Sequence, residues 1–221
     1  MKTMRFVSRI KHPFCSLSHA VGVALAVIGT GVLLTMAWGN AKAMVAFAIY
    51  GASLIGLYGA STLYHSVQCE GKREVLLRKL DHTGIFLLIA GTYVPVCLLA
   101  LSPGFGWTFL ILQGTMALIG VLGTFFLRKF PEVLNVVLYL LMGWMALPAL
   151  GYIGAHWPTY AIVLLVTGGI VYTVGAVIYA TDRPHLWPGR FTAHDLWHLF
   201  VLGGSACHYA LMTTYIAHRL G

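Results

Sequence analysis

Charge is what this chain has least of. Only 9% of its residues are Asp, Glu, Lys or Arg, and only six are acidic, while 59% are hydrophobic. At a mean hydropathy of +0.83, a water-soluble domain is excluded, because a soluble fold of this size needs far more polar surface than these residues supply. Cysteine is also scarce. Cys15, Cys69, Cys97 and Cys207 form no CxxC pair, and the order of the apolar runs scatters them between a membrane edge and the membrane interior, so no disulfide is expected. Linkers and an obvious internal repeat are missing too, so the chain reads as one domain. No basic surface studded with aromatics is present, which excludes nucleic acid as a partner.

What is present is a series of apolar runs, each long enough to cross roughly 30 Å of hydrocarbon. Seven are expected, at about 17–37, 43–65, 81–101, 106–127, 133–154, 158–180 and 194–217. Turn and breaker residues separate them: Gly39-Asn40, Gly71, Ser102-Pro103-Gly104, Pro131, Pro158, and Pro184 to Pro188. The expected fold is therefore all-α, a seven-transmembrane helix bundle. Ala41-Lys42-Ala43 after a basic start resembles a signal-peptide cleavage site. The apolar run before it, at about 20 residues, exceeds the roughly 7–15 of a signal h-region, so a first transmembrane helix is the expectation.

Lys and Arg give the orientation, since basic loops stay on the cytoplasmic side. Lys2, Arg5, Arg9 and Lys11 precede run 1, and Lys72, Arg73, Arg78 and Lys79 lie between runs 2 and 3. Arg128 and Lys129 lie between runs 4 and 5, and Arg183 and Arg190 between runs 6 and 7, whereas the alternate loops hold only Lys42 and, at the far end, Arg219. An N-terminus inside and a C-terminus outside follow, which requires an odd number of spans. The net charge of +8 is explained by this topology and is compatible with attraction to anionic lipid head groups.

Three polar constellations sit at run ends that the topology brings to one leaflet. Run 2 ends in Ser61-Thr62-Leu63-Tyr64-His65, where Ser61 and His65, four apart, share a helical face. Run 3 starts with Asp81-His82. Run 7 starts with His194-Asp195-Leu196-Trp197-His198, which puts two imidazoles on one face about 6 Å apart in rise. Two histidines at i and i+4 can ligate one ion, and His65 would complete a three-histidine set with an open fourth position, the pattern of a catalytic zinc site. Imidazole also suits other transition metals. At such an open position an ion lowers the pKa of water to about 7. Asp81 could then accept and return a proton while Ser61 positions the water or a substrate oxygen, and the reaction expected is hydrolysis.

Plainer readings exist for each piece. An HxxxH alone has little specificity. Asp81 could simply complement the dipole at the start of its helix, and Ser61 could back-bond to a helical carbonyl or permit close helix packing. Coincidence of these groups at one depth, in a chain so poor in acidic residues, favours the site. His208 reads as a core histidine or a more distant hydrogen-bonding partner, and His19 as an interfacial residue at the right depth. His82 and Asp195 point roughly 100° away around their helices. His12, His156, His185 and His218 read as loop or boundary residues. Ala48, Ala52, Gly56 and Ala60 form a small-residue ridge suited to close packing, and Trp38, Trp107, Trp157 and Trp187 suit an aromatic belt.

These motifs carry a resemblance. Ala60 to His65, Leu80-Asp81-His82-Thr83-Gly84-Ile85, Ala90 to Pro95, Met142-Gly143-Trp144, and His194 to His198 leading into Gly203 to His208 together resemble the bacterial hemolysin III family, the prokaryotic branch of the progestin and adiponectin receptor superfamily. The likeness covers nearly the whole chain. It implies seven transmembrane helices with the N-terminus inside, and a zinc ion held near the cytoplasmic face by His65, His194 and His198, with Asp81 and Ser61 beside it. The superfamily resembles alkaline ceramidases in this arrangement, which implies a hydrolase acting on a lipid amide or ester, with membrane lipids as solvent and substrate, in the bacterial inner membrane. Bacterial members are associated with membrane lipid and energy homeostasis. Two other readings stand beside the hydrolase: a non-enzymatic membrane sensor or regulator whose zinc ties helices 2 and 7 together, and a pore-forming cytolysin, although no pore-lining charge pattern is evident.

Overall fold

The structure is a computed structural model and describes residues 10–127, 131–187 and 191–220. Among the described residues, seven helices are long and apolar enough to cross a membrane. They are α1 (Pro13–Met36), α2 (Ala41–Ser66), α3 (Lys72–Ala100), α4 (Pro103–Phe126), α5 (Val133–His156), α6 (Thr159–Thr181) and α7 (Ala193–Leu220). The all-α, seven-helix architecture expected from the apolar runs is the one the chain forms. Lys2, Arg5, Arg9, Arg128, Lys129 and Arg190, which entered the orientation argument, lie outside the described residues.

The helix starts follow from local chemistry. Pro13 and Pro103 occupy first turns, where a missing N–H costs nothing. The Asn40 side chain caps α2 by accepting from the Ala43 N–H at 3.1 Å. Thr192 and Asp195 close a reciprocal capping box on α7. Pro95 sits inside α3, and the helix relaxes there into a π-helical turn over Val96–Ala100.

The largest boundary difference from the sequence expectation is at the start of α3. Helix α3 begins at Lys72, not at Asp81, after Gly71 turns the chain at a φ of 65° that favours glycine. Hydropathy marks where apolar residues start, whereas helical hydrogen bonding continues through a polar first segment. Glu74, in that first turn, complements the helix dipole and bonds Lys11 at 2.7 Å. Asp81 therefore lies more than two turns inside α3, so its carboxyl does not serve the helix start.

The bundle turns its apolar side chains outward and its polar ones inward, as a lipid solvent demands. Leu25, Ile28, Ile111, Val133, Val163 and many other large apolar residues are exposed, while Ser16, His19, Ser61, His65, Asp81, Gln113, His198 and Ser205 are buried. Buried positions on α1 recur as Cys15, His19, Gly22, Ala26, Gly29 and Leu33, and on α2 as Phe47, Tyr50, Leu54, Leu57, Tyr58, Ser61 and His65, the spacing of one helical face. Helices α2 and α3 approach closely at Gly84, where a Cβ would come within 2.9 Å of the Leu57 Cα.

Two packing expectations fail. Ala48, Ala52 and Gly56 face outward and Ala60 is half-buried, because α2 buries the bulky face carrying Phe47, Tyr50 and Leu54 instead. Trp38, Trp107 and Trp187 are exposed, as a belt requires, but Trp157 is buried and donates its indole N–H to the Ala100 carbonyl at 3.3 Å.

Candidate metal centre

The site is built where the N-terminal ends of α1, α3 and α7 meet the C-terminal end of α2. Backbone hydrogen bonds pin two of these ends: the His12 N–H donates to the His65 carbonyl at 2.9 Å and the Lys11 N–H to the Ser66 carbonyl at 3.4 Å. The Ser16 and Ser66 hydroxyls meet at 2.5 Å. Outside this seam, Lys11 bridges to Glu74 on α3 and lies 4.4 Å over the Tyr64 ring. The hydrogen bond to Glu74 holds the Lys11 ammonium above its ordinary pKa. His12 packs edge-on against His65 at 5.4 Å, and burial together with the adjacent Lys11 charge pulls its pKa down, so it presents a neutral ring to the site at pH 7. It is the N-cap of α1, a boundary residue as expected, and it also packs against the site.

The three histidines expected to bind metal do converge. The ring centroid of His65 lies 5.2 Å from that of His194 and 4.8 Å from that of His198. The two α7 histidines bring their Nε2 atoms to 3.2 Å. A fourth donor joins them: Cys15 Sγ and one ring nitrogen each from His65, His194 and His198 all lie within 4.8 Å of one another. The three-histidine set expected from the sequence did not include Cys15, which the first turn of α1 carries into the cluster.

His19 also enters it. Its ring lies 3.9 Å from His198 and meets Tyr58 edge-on at 5.0 Å, so it is a buried neighbour and not an interfacial residue. His208 stays away, with Nε2 at 3.4 Å from the Leu165 carbonyl. Asp195 is occupied in holding α7: its Oδ2 accepts from the Thr192 N–H and hydroxyl, both at 2.8 Å, while its Oδ1 accepts from the Cys15 thiol at 3.1 Å.

Whether these residues fit a metal ion can be judged from their hydrogen bonds. His65 and His198 are each only 2% exposed, yet among the described residues both ring nitrogens of His65 and the Nδ1 of His198 have no hydrogen-bond partner. An orphaned buried polar group costs about 1–3 kcal/mol, and native interiors hold few of them. Neutral imidazole nitrogens converging at this spacing are a donor set for a transition-metal cation, and the chemistry of the site fits one.

Asp81 and Ser61 stand beside the cluster. Both line a cavity of about 40 Å³ that also touches His194 and His198, and the Ser61 hydroxyl is the polar side-chain neighbour of the Asp81 carboxyl. At roughly 10–15 Å³ for one water, that volume admits about three or four. Asn135 reaches the same cavity from α5 with its Oδ1 unpartnered among the described residues; nothing in its surrounding sequence marked it. Leu57, Ile85, Tyr139, Ala176, Trp197 and Val201 then form a shared wall with a second, almost wholly apolar cavity of about 80 Å³. A third, of about 60 Å³, continues from it past Tyr93 and Trp144.

The chain is similar to known proteins over most of its length. The family described as "Haemolysin-III related" matches residues 8–209. The chain is 36% identical to Hemolysin-3 of Bacillus cereus over 219 residues, covering 97% of this chain and 96% of the relative. It is 35% identical to a Hemolysin-3 homolog of Bacillus subtilis over 202 residues, 90% of this chain and 92% of the relative. A more distant likeness, 28% over 207 residues, covers 90% of the chain and 82% of the human monocyte to macrophage differentiation factor. From the seven apolar helices, the converging histidines and these matches, the chain is a multi-pass membrane protein that belongs to the haemolysin-III related family, within the progestin and adiponectin receptor superfamily.

Proposed function

We propose that the protein is a zinc-dependent hydrolase of a membrane-lipid amide or ester, working at the cytoplasmic face of the bacterial inner membrane. One observation carries the reading: a buried donor cluster opens onto a cavity whose wall holds a carboxyl and a hydroxyl, and that cavity abuts apolar space deep in the bundle. His65, His194 and His198 would hold the ion, which when bound supplies Lewis acidity toward water and a carbonyl oxygen. Asp81 accepts the proton of the attacking water as its oxygen bonds to the carbonyl carbon. The same carboxyl returns that proton to the departing nitrogen or oxygen when the C–N or C–O bond breaks. Ser61 keeps Asp81 and the substrate carbonyl in register. The apolar cavities would receive an acyl chain, and the head group would remain at the membrane edge among Lys11, Lys72, Arg73 and Arg78. These basic residues also support a cytoplasmic N-terminus. Such an activity would adjust membrane lipid composition.

The test is a lipid inventory of membranes from cells making the wild type or Asp81→Asn. One amide or ester class should accumulate in the variant with its cleavage products depleted. Identical inventories, with equal turnover of the purified proteins, would remove Asp81 from the chemistry. A second reading has its own observation. Because the four donors come from α1, α2 and α7, an ion there would tie three helices, as the structural zinc of a membrane sensor or regulator would. Unfolding on chelation, with no lipid cleaved across a broad panel, would favour it.

A further inference from the structure

We infer that Cys15 is a ligand of the same ion, so that the centre is a cysteine and three histidines and not three histidines alone. This rests on the proposal that the cluster holds a metal, and not on the hydrolytic step. Zinc bonds of about 2.0–2.1 Å to imidazole and 2.3 Å to sulfur place tetrahedral donors roughly 3.3–3.6 Å apart. Here the four donor atoms lie within 4.8 Å of one another, and one pair, the Nε2 atoms of His194 and His198, is already at 3.2 Å. Small side-chain rotations close the rest.

The thiol itself is 2% exposed and is held toward α7 by its hydrogen bond to Asp195 Oδ1 at 3.1 Å. The capping of α7 does not need that bond, since Thr192 is satisfied by the other carboxylate oxygen. Asp195 therefore serves to aim Cys15. An independent sign that the thiol faces a ligand is His65, only 2% exposed with both ring nitrogens unpartnered among the described residues. A thiol binds metal as the thiolate and releases its proton to solvent, and the bond it forms replaces the one to Asp195. The fourth position then belongs to sulfur in the resting protein. With Cys15 as a fourth donor the centre would leave no open position for water, so Cys15 would keep the resting centre latent.

The test uses the full-length protein in detergent, stripped and loaded with cobalt(II). The expected result is a near-ultraviolet thiolate-to-cobalt charge-transfer band in the wild type. Cys15→Ser, which keeps a donor for Asp195, and Cys15→Ala should both lose it while retaining the visible bands of a nitrogen-bound cobalt. Cys97→Ser, which removes a buried cysteine outside the cluster, should keep it. Chelator should strip the Cys15 variants at about tenfold lower concentration than wild type, the least expected for a direct ligand when outer partners cost 10–100-fold. Visible bands without a charge-transfer band in the wild type would overturn Cys15 ligation and leave the three-histidine reading standing. No cobalt bound by any of these proteins would overturn both.

Discussion

Two of the polar clusters inside this bundle are resolved in opposite ways. Around Ser205 three hydroxyls satisfy one another: Tyr58 donates to Ser205 Oγ at 2.7 Å, and the Tyr172 and Ser205 oxygens are also 2.7 Å apart. Around His65 the rings have converged, yet both nitrogens of His65 and of His19 and the Nδ1 of His198 are unpartnered among the described residues. The Tyr58 ring touches both clusters, since it also packs against His19. In hydrocarbon, where no water rescues an unpaired group, the first pattern is how helices are joined. The second pattern, at similar burial, is that of groups kept for something else. Packing completes one cluster; the other has donors in place that could hold a metal ion.

The largest expected effect breaks the histidine cluster. His65→Ala, His194→Ala or His198→Ala should each lower bound metal from about one ion per chain to a residual level, read by elemental analysis of the purified protein. At least a 100-fold loss of affinity is expected, above the 10–100-fold typical of partners one shell further out. Asp81→Asn separates chemistry from binding: metal content should hold while turnover of the lipid that the inventory reveals falls about 10²–10⁴-fold, the usual contribution of a general acid–base. Equal losses of metal and turnover would instead make Asp81 a ligand.

The partnered cluster should respond the other way. Ser205→Ala removes the shared partner of two tyrosines and should cost about 1–2 kcal/mol of stability, seen as a lower melting temperature in detergent with metal content unchanged. Metal loss in that variant would erase the distinction between the clusters. The smallest effect is expected at Thr192→Val, where loss of the α7 cap should cost about 1 kcal/mol and loosen His194 without abolishing metal binding.

The seven helices were legible because lipid leaves a chain no alternative: each apolar run long enough to span must be helical. The start of α3 was not, because Lys72 to Lys79 is polar and its helicity is set by backbone bonds and the turn at Gly71. His65, His194 and His198 could be grouped by alternation alone, which sends the end of α2 and the start of α7 to one leaflet. Cys15 and His19 were at the same depth by the same reasoning, and the four-residue spacing between them was available as a signal. What the sequence lacked was the rotation of α1, which the hydrophobic pattern leaves undetermined because both its lipid face and its core face are apolar or small. The outward ridge on α2 and the buried Trp157 were missed for the same reason: facing is decided by partners, and apolarity in a membrane helix does not report it.

The central claim, that the buried imidazoles share one cation, is tested most directly by an anomalous-difference map from crystals grown with zinc and recorded above and below its absorption edge. A single peak is expected within bonding distance of His65, His194 and His198. Well-ordered rings around no anomalous density, with zinc supplied in excess, would contradict it.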